Sequence, residues 1–286
     1  MVSTSPFEPH YLDVDGGRMH YVDEGEGPVM LMLHGNPTWS FYYRNLVEAF
    51  RETHRVVVPD HIGCGLSDKP QDFGYRLEQH IGNVERLVDH LGIEKATVVV
   101  HDWGGAIGMG LAVARPALPE RFVVFNTAAF LADRIPFSID ICRIPGFGAL
   151  MIRGLNAFAK AALMRCVVHK DRLTDDVKAG YLEPYDSWGN RVANLKFVHD
   201  IPMNPTHPTY PVLSKIGEGL EQFVEHPMMI AWGAQDFCFN DAFFAEWKRR
   251  FPKAETHYFE DAGHYVLEDA HERIVPLMQK FMEMPS

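Results

Sequence analysis

The chain has 286 residues, of which 47% are apolar and 23% charged, so a disordered or fibrous protein is excluded. With 38 acidic and 27 basic residues the formal net charge is −11, which gives the chain no electrostatic reason to bind nucleic acid. The four cysteines stand singly, without CxxC spacing or clustered histidines. We therefore expect neither a disulfide framework nor a structural metal.

The N-terminal segment Met1–His10 lacks the basic start and the apolar run of a secretory signal. No stretch of about 18 residues is free of charged side chains, so no transmembrane segment is expected. A reduced, cytoplasmic protein is the resulting expectation.

The first 130 residues alternate short β-branched runs with longer helical patterns. Two runs joined by Gly16 and Gly17 predict an antiparallel hairpin at a sheet edge. The later runs are continuously apolar, as expected of parallel strands covered on both faces. The predicted strands are Tyr11–Asp15, Arg18–Glu24, Val29–Leu33, Val56–Pro59, Ala96–His101 and Arg121–Asn126, with helices at Ser40–Phe50, Gln79–Leu91 and Gly104–Ala114. This order predicts an α/β fold, a mostly parallel sheet with helices on both faces.

After Asn126 the strand pattern stops and helical patterns rich in Met, Phe and Leu take over. Within them Gly146–Arg165 is apolar but punctuated by polar residues, which favours an amphipathic helix over a membrane helix. The strand rhythm then resumes, with strands at Met228–Trp232 and Glu255–Phe259 and helices at Asp241–Arg250 and Ala270–Met282. We predict one core, residues 1–130 and 213–286, interrupted by a helical cap, residues 131–212.

The turn between a predicted strand and helix carries the sharpest chemical signal. It reads HDWGG, His101–Gly105, and its glycines permit the strained backbone that lifts one side chain, Asp102, to the top of a sheet. A carboxylate with a reference pKa near ~4 is already ionised and attacks without a base. Its natural target is a saturated carbon with a leaving group, giving an ester that water hydrolyses with a general base. The alternative is that Asp102 merely caps the following helix.

Three further polar residues occupy loops after predicted strands. His264, in the turn after Glu255–Phe259, is the predicted base, and Asp236, after Met228–Trp232, is the acid that orients it. Asp261 is the fallback acid, although a turn-shaping role is favoured. His101 is expected to be structural, because strand alternation points it away from Asp102.

The leaving group also needs stabilisation as it acquires charge. Asn36, in the loop His34–Pro37, and Trp103 each offer a neutral N–H donor towards an anion near Asp102. Their backbone N–H groups are candidates for an oxyanion hole.

Together these motifs resemble the α/β-hydrolase superfamily and, within it, the haloalkane dehalogenases. The resemblance rests on HGNPTW, PDHIGCGLSDKP, HDWGG, WGAQD and DAGHYVLED, and it covers the whole core in order. It implies an α/β-hydrolase fold, with Asp102 as nucleophile, His264 as base, Asp236 as acid and Asn36 with Trp103 as halide clamp. Some family members carry the acid after the strand before the cap, but that position holds Asn126. No cofactor or metal is implied.

The cap leaves the substrate open. Its stretch Tyr181–Pro202 resembles the dehalogenase-like β-lactone decarboxylases of long-chain olefin biosynthesis, in which the same aspartate opens a strained lactone and releases CO2 and an alkene. Dehalogenation is the leading prediction and lactone decarboxylation the second, so the expected partners are a small apolar substrate and water. Epoxide hydrolysis, with Tyr181 and Tyr185 polarising the oxygen, is a third, and a silent binding protein a fourth. The cap is also a candidate surface for contact with a partner enzyme. Trp188 is a candidate substrate contact in the cap, although an aromatic side chain packed within the cap is the favoured interpretation.

Overall fold

An eight-stranded sheet forms the centre of the fold. The computed structural model describes residues 6–284, so the first five residues of the N-terminal segment lie outside it. The sheet order is β1-β2-β4-β3-β5-β6-β7-β8, and strands are antiparallel where β2 pairs with β1 and β4 and parallel elsewhere. The predicted fold class and edge hairpin are confirmed. The strands are β1 (His10–Val14), β2 (Gly17–Glu24), β3 (Val29–Leu33), β4 (Arg55–Pro59), β5 (Ala96–Asp102), β6 (Pro119–Thr127), β7 (Met228–Gly233) and β8 (Glu255–Phe259).

Helices cover both faces because successive side chains of the central strands point to opposite sides. Leu31 and Val98 pack on one face with α2, α3 and α9, whereas Met30 and Val99 pack on the other with α1 and α11. The helices described are α1 (Arg44–Phe50), α2 (Leu77–His90), α3 (Trp103–Ala114), α4 (Phe137–Asp140), α5 (Phe147–Ala149), α6 (Ala157–Cys166), α7 (Asp175–Leu182), α8 (Val192–His199), α9 (Thr209–Gly219), α10 (Asp241–Arg250) and α11 (Val266–Met282).

Helices α4 to α8 lie between β6 and β7, within the predicted insertion. The single helix predicted over Gly146–Arg165 is wrong: α5 continues as a π-helical turn, Leu150–Gly154, and the chain bends by 75° before α6. The bend falls at Asn156, which adopts a left-handed conformation with φ 52° and donates a side-chain hydrogen bond to the Tyr185 carbonyl. A helix cannot continue through a left-handed residue. Between residues 6 and 284 no single helix is long and apolar enough to cross a membrane; only this bent pair is, by length and composition.

Other differences concern element ends. The predicted helix Ser40–Phe50 begins with a 3₁₀ turn, Ser40–Tyr43, and the closing helix starts at Val266 and kinks at Ala270. The parallel strands β3, β5, β6, β7 and β8 all end at the same edge of the sheet, which gathers the loops that follow them.

Candidate active site

Asp102 is the last residue of β5 and stands on a strained turn. Its φ of 51° is positive, a conformation that a non-glycine residue rarely adopts, and its side chain makes no capping hydrogen bond to α3. A Cβ at Gly104 would collide with the Leu33 carbonyl, and one at Gly105 with Thr127, so the turn accepts only glycine there. The helix-cap reading of Asp102 is therefore wrong, and the turn has the geometry of a nucleophile elbow.

The loops after β3, β7 and β8 bring the other predicted residues to Asp102. His264 Nε2 lies 3.6 Å from Asp102 Oδ2, and on its other side His264 Nδ1 lies 2.7 Å from Asp236 Oδ2. The second oxygen of Asp236 accepts backbone hydrogen bonds from Cys238 and Phe239, at 2.6 and 3.0 Å. A carboxylate held in this way fixes the orientation of the imidazole, with Nε2 towards the nucleophile.

Burial and neighbouring charge act in opposite directions on the two titrating groups. Burial raises the pKa of Asp102 above its usual value, against the His264 charge and the Asn36 and Trp103 backbone N–H groups, which lower it. For His264, burial lowers the pKa, but Asp236 and then Asp102 outweigh it, so the pKa is raised. Esterification of Asp102 would remove one of the charges that raises the His264 pKa. A lower pKa would make the imidazole a weaker base but would leave a larger fraction of it neutral, the form that can accept a proton from water.

Asn36 and Trp103 flank Asp102. The backbone N–H of Asn36 donates to Asp102 Oδ1 at 2.6 Å, and the backbone N–H of Trp103 also faces this carboxylate. The Asn36 side-chain nitrogen donates one hydrogen bond, at 3.2 Å, to the carbonyl of Asn194 on α8, which leaves its second N–H free to bind a leaving anion. Asn36 thus contacts both core and cap, a tie that the sequence did not predict.

A cavity of about 370 Å³ lies between the sheet edge and the insertion. Asp102, His264, Asn36 and Trp103 line one part of it. The remaining wall is predominantly apolar and comes mainly from α4 to α6, from the loops after β6, β7 and α8, and from α10, with side chains such as Phe130, Ile139, Met151, Phe158, Met203 and Phe243. Such a site fits an apolar molecule with one reactive group.

The cap tyrosines do not face this cavity. The Tyr181 hydroxyl donates to Glu268, a buried carboxylate that Arg44 also pairs with at 2.6 Å, and the Tyr185 hydroxyl donates to the Thr38 carbonyl at 3.3 Å. The third alternative, in which they polarise an epoxide oxygen, finds no support, because these buried hydroxyls are already hydrogen-bonded elsewhere.

Trp188 is also absent from the cavity wall. It is half-exposed and lies under the Arg153 guanidinium, 4.8 Å from the ring centre, so the structure does not support a ligand role.

Three other candidates have structural roles. His101 points away from the cavity and its Nε2 bonds the His264 carbonyl at 2.9 Å, as strand alternation predicted. Asp261 forms an ion pair with Arg273 at 2.9 Å and contacts neither Asp102 nor His264. The Asn126 side chain exchanges two hydrogen bonds with the Gly233 backbone, joining β6 to β7.

One residue near the site was missed. The buried carboxylate of Asp269 accepts hydrogen bonds from the backbone N–H groups of Val168 and His169, at 2.8–3.0 Å, and of Gly263, at 2.8 Å. It therefore links the segment after α6 to the residue preceding His264. Asp269 belongs to the motif DAGHYVLED, which was the available signal in the sequence. Its partners Val168 and His169 lie 101 and 100 residues earlier in the chain, so no local pattern indicated the contact.

Comparison with known proteins places the fold in a class. The family described as "Alpha/beta hydrolase family" matches residues 30–277, and the chain belongs to this family. The structure of the haloalkane dehalogenase DbeA from Bradyrhizobium elkanii superimposes with a TM-score of 0.87 at 26% identity, covering 96% of this chain and 97% of that one.

Within the family, two kinds of enzyme are similar in sequence. The "Cis-3-alkyl-4-alkyloxetan-2-one decarboxylase" of Shewanella oneidensis is 44% identical over 97% of this chain and 89% of its own length. "Haloalkane dehalogenase 2" of Mycobacterium bovis is 32% identical over 94% of this chain and 93% of its own. The protein is an enzyme of the α/β-hydrolase superfamily, related to β-lactone decarboxylases and more distantly to haloalkane dehalogenases, as the resemblance implied.

Proposed function

We propose that this enzyme is a β-lactone decarboxylase that converts a cis-3,4-dialkyl oxetan-2-one into an alkene and CO2. The observation that carries the proposal is a buried aspartate, held by two backbone N–H groups, in the wall of a largely apolar cavity. The 44% identity to a decarboxylase, against 32% to a dehalogenase, favours the lactone as substrate. The roles predicted for Asp102, Asn36 and Trp103, and the cap at residues 131–212, are part of this proposal, whereas the roles predicted for His264 and Asp236 as base and acid belong to the hydrolytic alternative below.

The first step is displacement at the ring carbon that bears the ring oxygen. An Asp102 oxygen forms a bond to this carbon, the carbon–oxygen bond breaks, and its electron pair converts the lactone carbonyl into a free carboxylate. Ring strain favours the opening. The new anion forms beside the free side-chain N–H of Asn36 and the Trp103 indole, two neutral donors in a largely apolar site.

The second step needs no water. Displacement from the rear leaves the new carboxylate and the Asp102 ester on opposite sides of the central carbon–carbon bond without any bond rotation. Loss of CO2 then supplies the electron pair of the double bond, and the ester bond breaks to return the Asp102 carboxylate. Inversion followed by this anti departure gives the cis alkene from the cis lactone. The cap restrains the chains, which preserves this geometry.

Dehalogenation is the second candidate, and the paired neutral donors Asn36 and Trp103 favour it because they suit a weakly hydrated halide. There the same ester forms, and His264, oriented by Asp236, removes a proton from the water that hydrolyses it.

The two reactions separate in one experiment. The purified enzyme is incubated with a long-chain cis-β-lactone and, separately, with a bromoalkane, and alkene and bromide are measured. Alkene formed in the presence of the Asp102→Ala variant measures spontaneous breakdown of the lactone, and this background is subtracted. We expect alkene formation that depends on Asp102; bromide release without alkene would overturn the proposal and establish the second candidate.

A further inference from the structure

The surface of the cap is unusually apolar. Seven of the ten large apolar side chains that are exposed in the described chain lie between residues 137 and 188. Phe137 is 79% exposed, Met164 67%, and Leu150 and Leu155 56% each. Exposed apolar side chains that belong to no interface are usually scattered singly over a protein surface. Their concentration in one segment therefore indicates an interaction surface.

Part of this region, the stretch between Asp140 and Asp171, has the opposite charge to the rest of the chain. Residues 141–170 contain five Lys or Arg and no Asp or Glu, so this stretch has a formal charge of +5. Because the whole chain has a net charge of −11, the other 256 residues together carry −16. Within the part of the chain that the structure describes, Arg143 is the one of these five that forms an ion pair, with Asp140 at 3.5 Å. The basic side chains are thus left largely unneutralised beside exposed apolar ones.

The cavity reaches this surface. Its wall includes Phe147 and Arg165, which are exposed, and Met151 and Phe158, which lie on the same two bent helical pieces. These pieces therefore face the cavity on one side and solvent on the other. The two pieces are bent by 75° relative to each other. This geometry favours an orientation along the surface of a membrane over one that crosses it.

We propose that the cap surface, residues 137–165, docks on anionic phospholipid bilayers, with the cavity mouth at the lipid interface. Exposed Phe and Leu side chains insert among the acyl chains while Lys and Arg contact lipid phosphates. An apolar substrate dissolved in the bilayer would then reach the cavity without crossing water. An acidic protein surface elsewhere is repelled by the same lipids, which orients the molecule cap-first.

The test is co-sedimentation of the full chain with vesicles of phosphatidylcholine containing phosphatidylglycerol, compared with pure phosphatidylcholine. Binding to the anionic vesicles is expected, and raising the salt from about 0.1 M to about 1 M should release most of the protein. Because no turnover is involved, failure here is distinguishable from failure of the proposed reaction.

Variants outside the cavity wall identify the surface. Leu150→Ser with Leu155→Ser should weaken vesicle binding at least about tenfold, and Lys160→Glu at least about fivefold. Tyr11→Ser on β1 and Lys95→Glu are the matched controls and should bind as the parent does, with thermal unfolding confirming that every variant folds. Absence of binding to anionic vesicles, or equal binding by the cap variants, would overturn the proposal. Loss of self-association in these variants without any vesicle binding would instead assign the surface to a second copy of the chain.

Discussion

The sheet edge and the cap contribute to one cavity in different ways. At the sheet edge, each reactive group is fixed by short contacts to backbone: Asp102 by the Asn36 N–H, and Asp236 by two N–H groups of its own loop. The cap contributes mainly apolar side chains, on helices that are short, bent and partly exposed. If the proposed function is right, the core sets which bond is attacked, whereas the cap selects the molecule that carries it. Substitutions in the two regions should therefore have different effects.

Removal of the nucleophile should have the largest effect. Asp102→Ala is expected to lower alkene and bromide formation at least about 10⁴-fold, because no other group can form the ester. Product formation is measured by gas chromatography and halide assay. Asp261→Ala, an acidic residue outside the site, is the matched control and should retain parental rates. Substantial turnover by Asp102→Ala would assign the chemistry elsewhere.

Removal of the base should separate the two reactions. With a bromoalkane, His264→Phe should lower turnover about 10³-fold and leave an ester on Asp102, visible by mass spectrometry after proteolysis, because water is no longer activated. Alkene formation from the lactone needs no water and should fall far less. Equal losses for both substrates would contradict the water-free route.

The leaving-group contact lies where core and cap meet. Asn36→Ala is expected to slow formation of the Asp102 ester about 10²-fold, as when one oxyanion donor is removed. Single-turnover measurement of bromide release isolates this step. An unchanged rate would exclude the Asn36 side chain from leaving-group binding.

The cap should alter selectivity without altering the chemistry. Phe158→Ala enlarges the cavity wall and is expected to change the ratio of kcat/KM between long-chain and short-chain lactones by about tenfold, with kcat for the better substrate little changed. Leu155→Ala, exposed and outside the wall, is the control. A large fall in kcat for every chain length would place Phe158 in the catalytic machinery instead.

The smallest effect concerns pH. Burial lowers the pKa of His264, but Asp236 and then Asp102 outweigh it and raise the pKa above 6.5, so hydrolysis of the alkyl ester should fall as the pH drops through the raised pKa. The protonated imidazole cannot accept a proton from water, so between pH 8 and pH 6 a loss of about severalfold is expected for the bromoalkane. Alkene formation requires only ionised Asp102 and should persist to lower pH. Stopped assays measure both rates as a function of pH. If both rates fell over the same acidic pH range, this would argue against a role for His264 that is confined to ester hydrolysis.

Much of the core could be predicted because its signals are local. Strands β3 and β8 and helix α10 have the predicted bounds, since apolar runs and helical periodicity are properties of adjacent residues. The motifs around Asp102, Asp236 and His264 follow strands, and parallel strands deliver their ends to one edge, so the sequence indicated that these residues would meet.

The cap was less predictable because its contacts are distant along the chain. The bend at Asn156 depends on the Tyr185 carbonyl 29 residues away, and Tyr181 reaches Glu268, 87 residues on. Periodicity carries no information about such partners, so it predicted one long helix and could not indicate the bend or the hydrogen bonds of the two tyrosines.

From the sequence alone came the class of fold, and also the prediction of Asp102, Asp236 and His264, in that chain order, as nucleophile, acid and base, because both depend on turns that glycine and strand ends encode locally. Only the tertiary structure decided that Asn36 is shared between core and cap, that Asp269 links the His264 loop to the segment after α6, and that the exposed cap residues Phe147 and Arg165 also line the cavity. Those features arise where distant segments pack together, and packing depends on three-dimensional shape rather than on any local pattern.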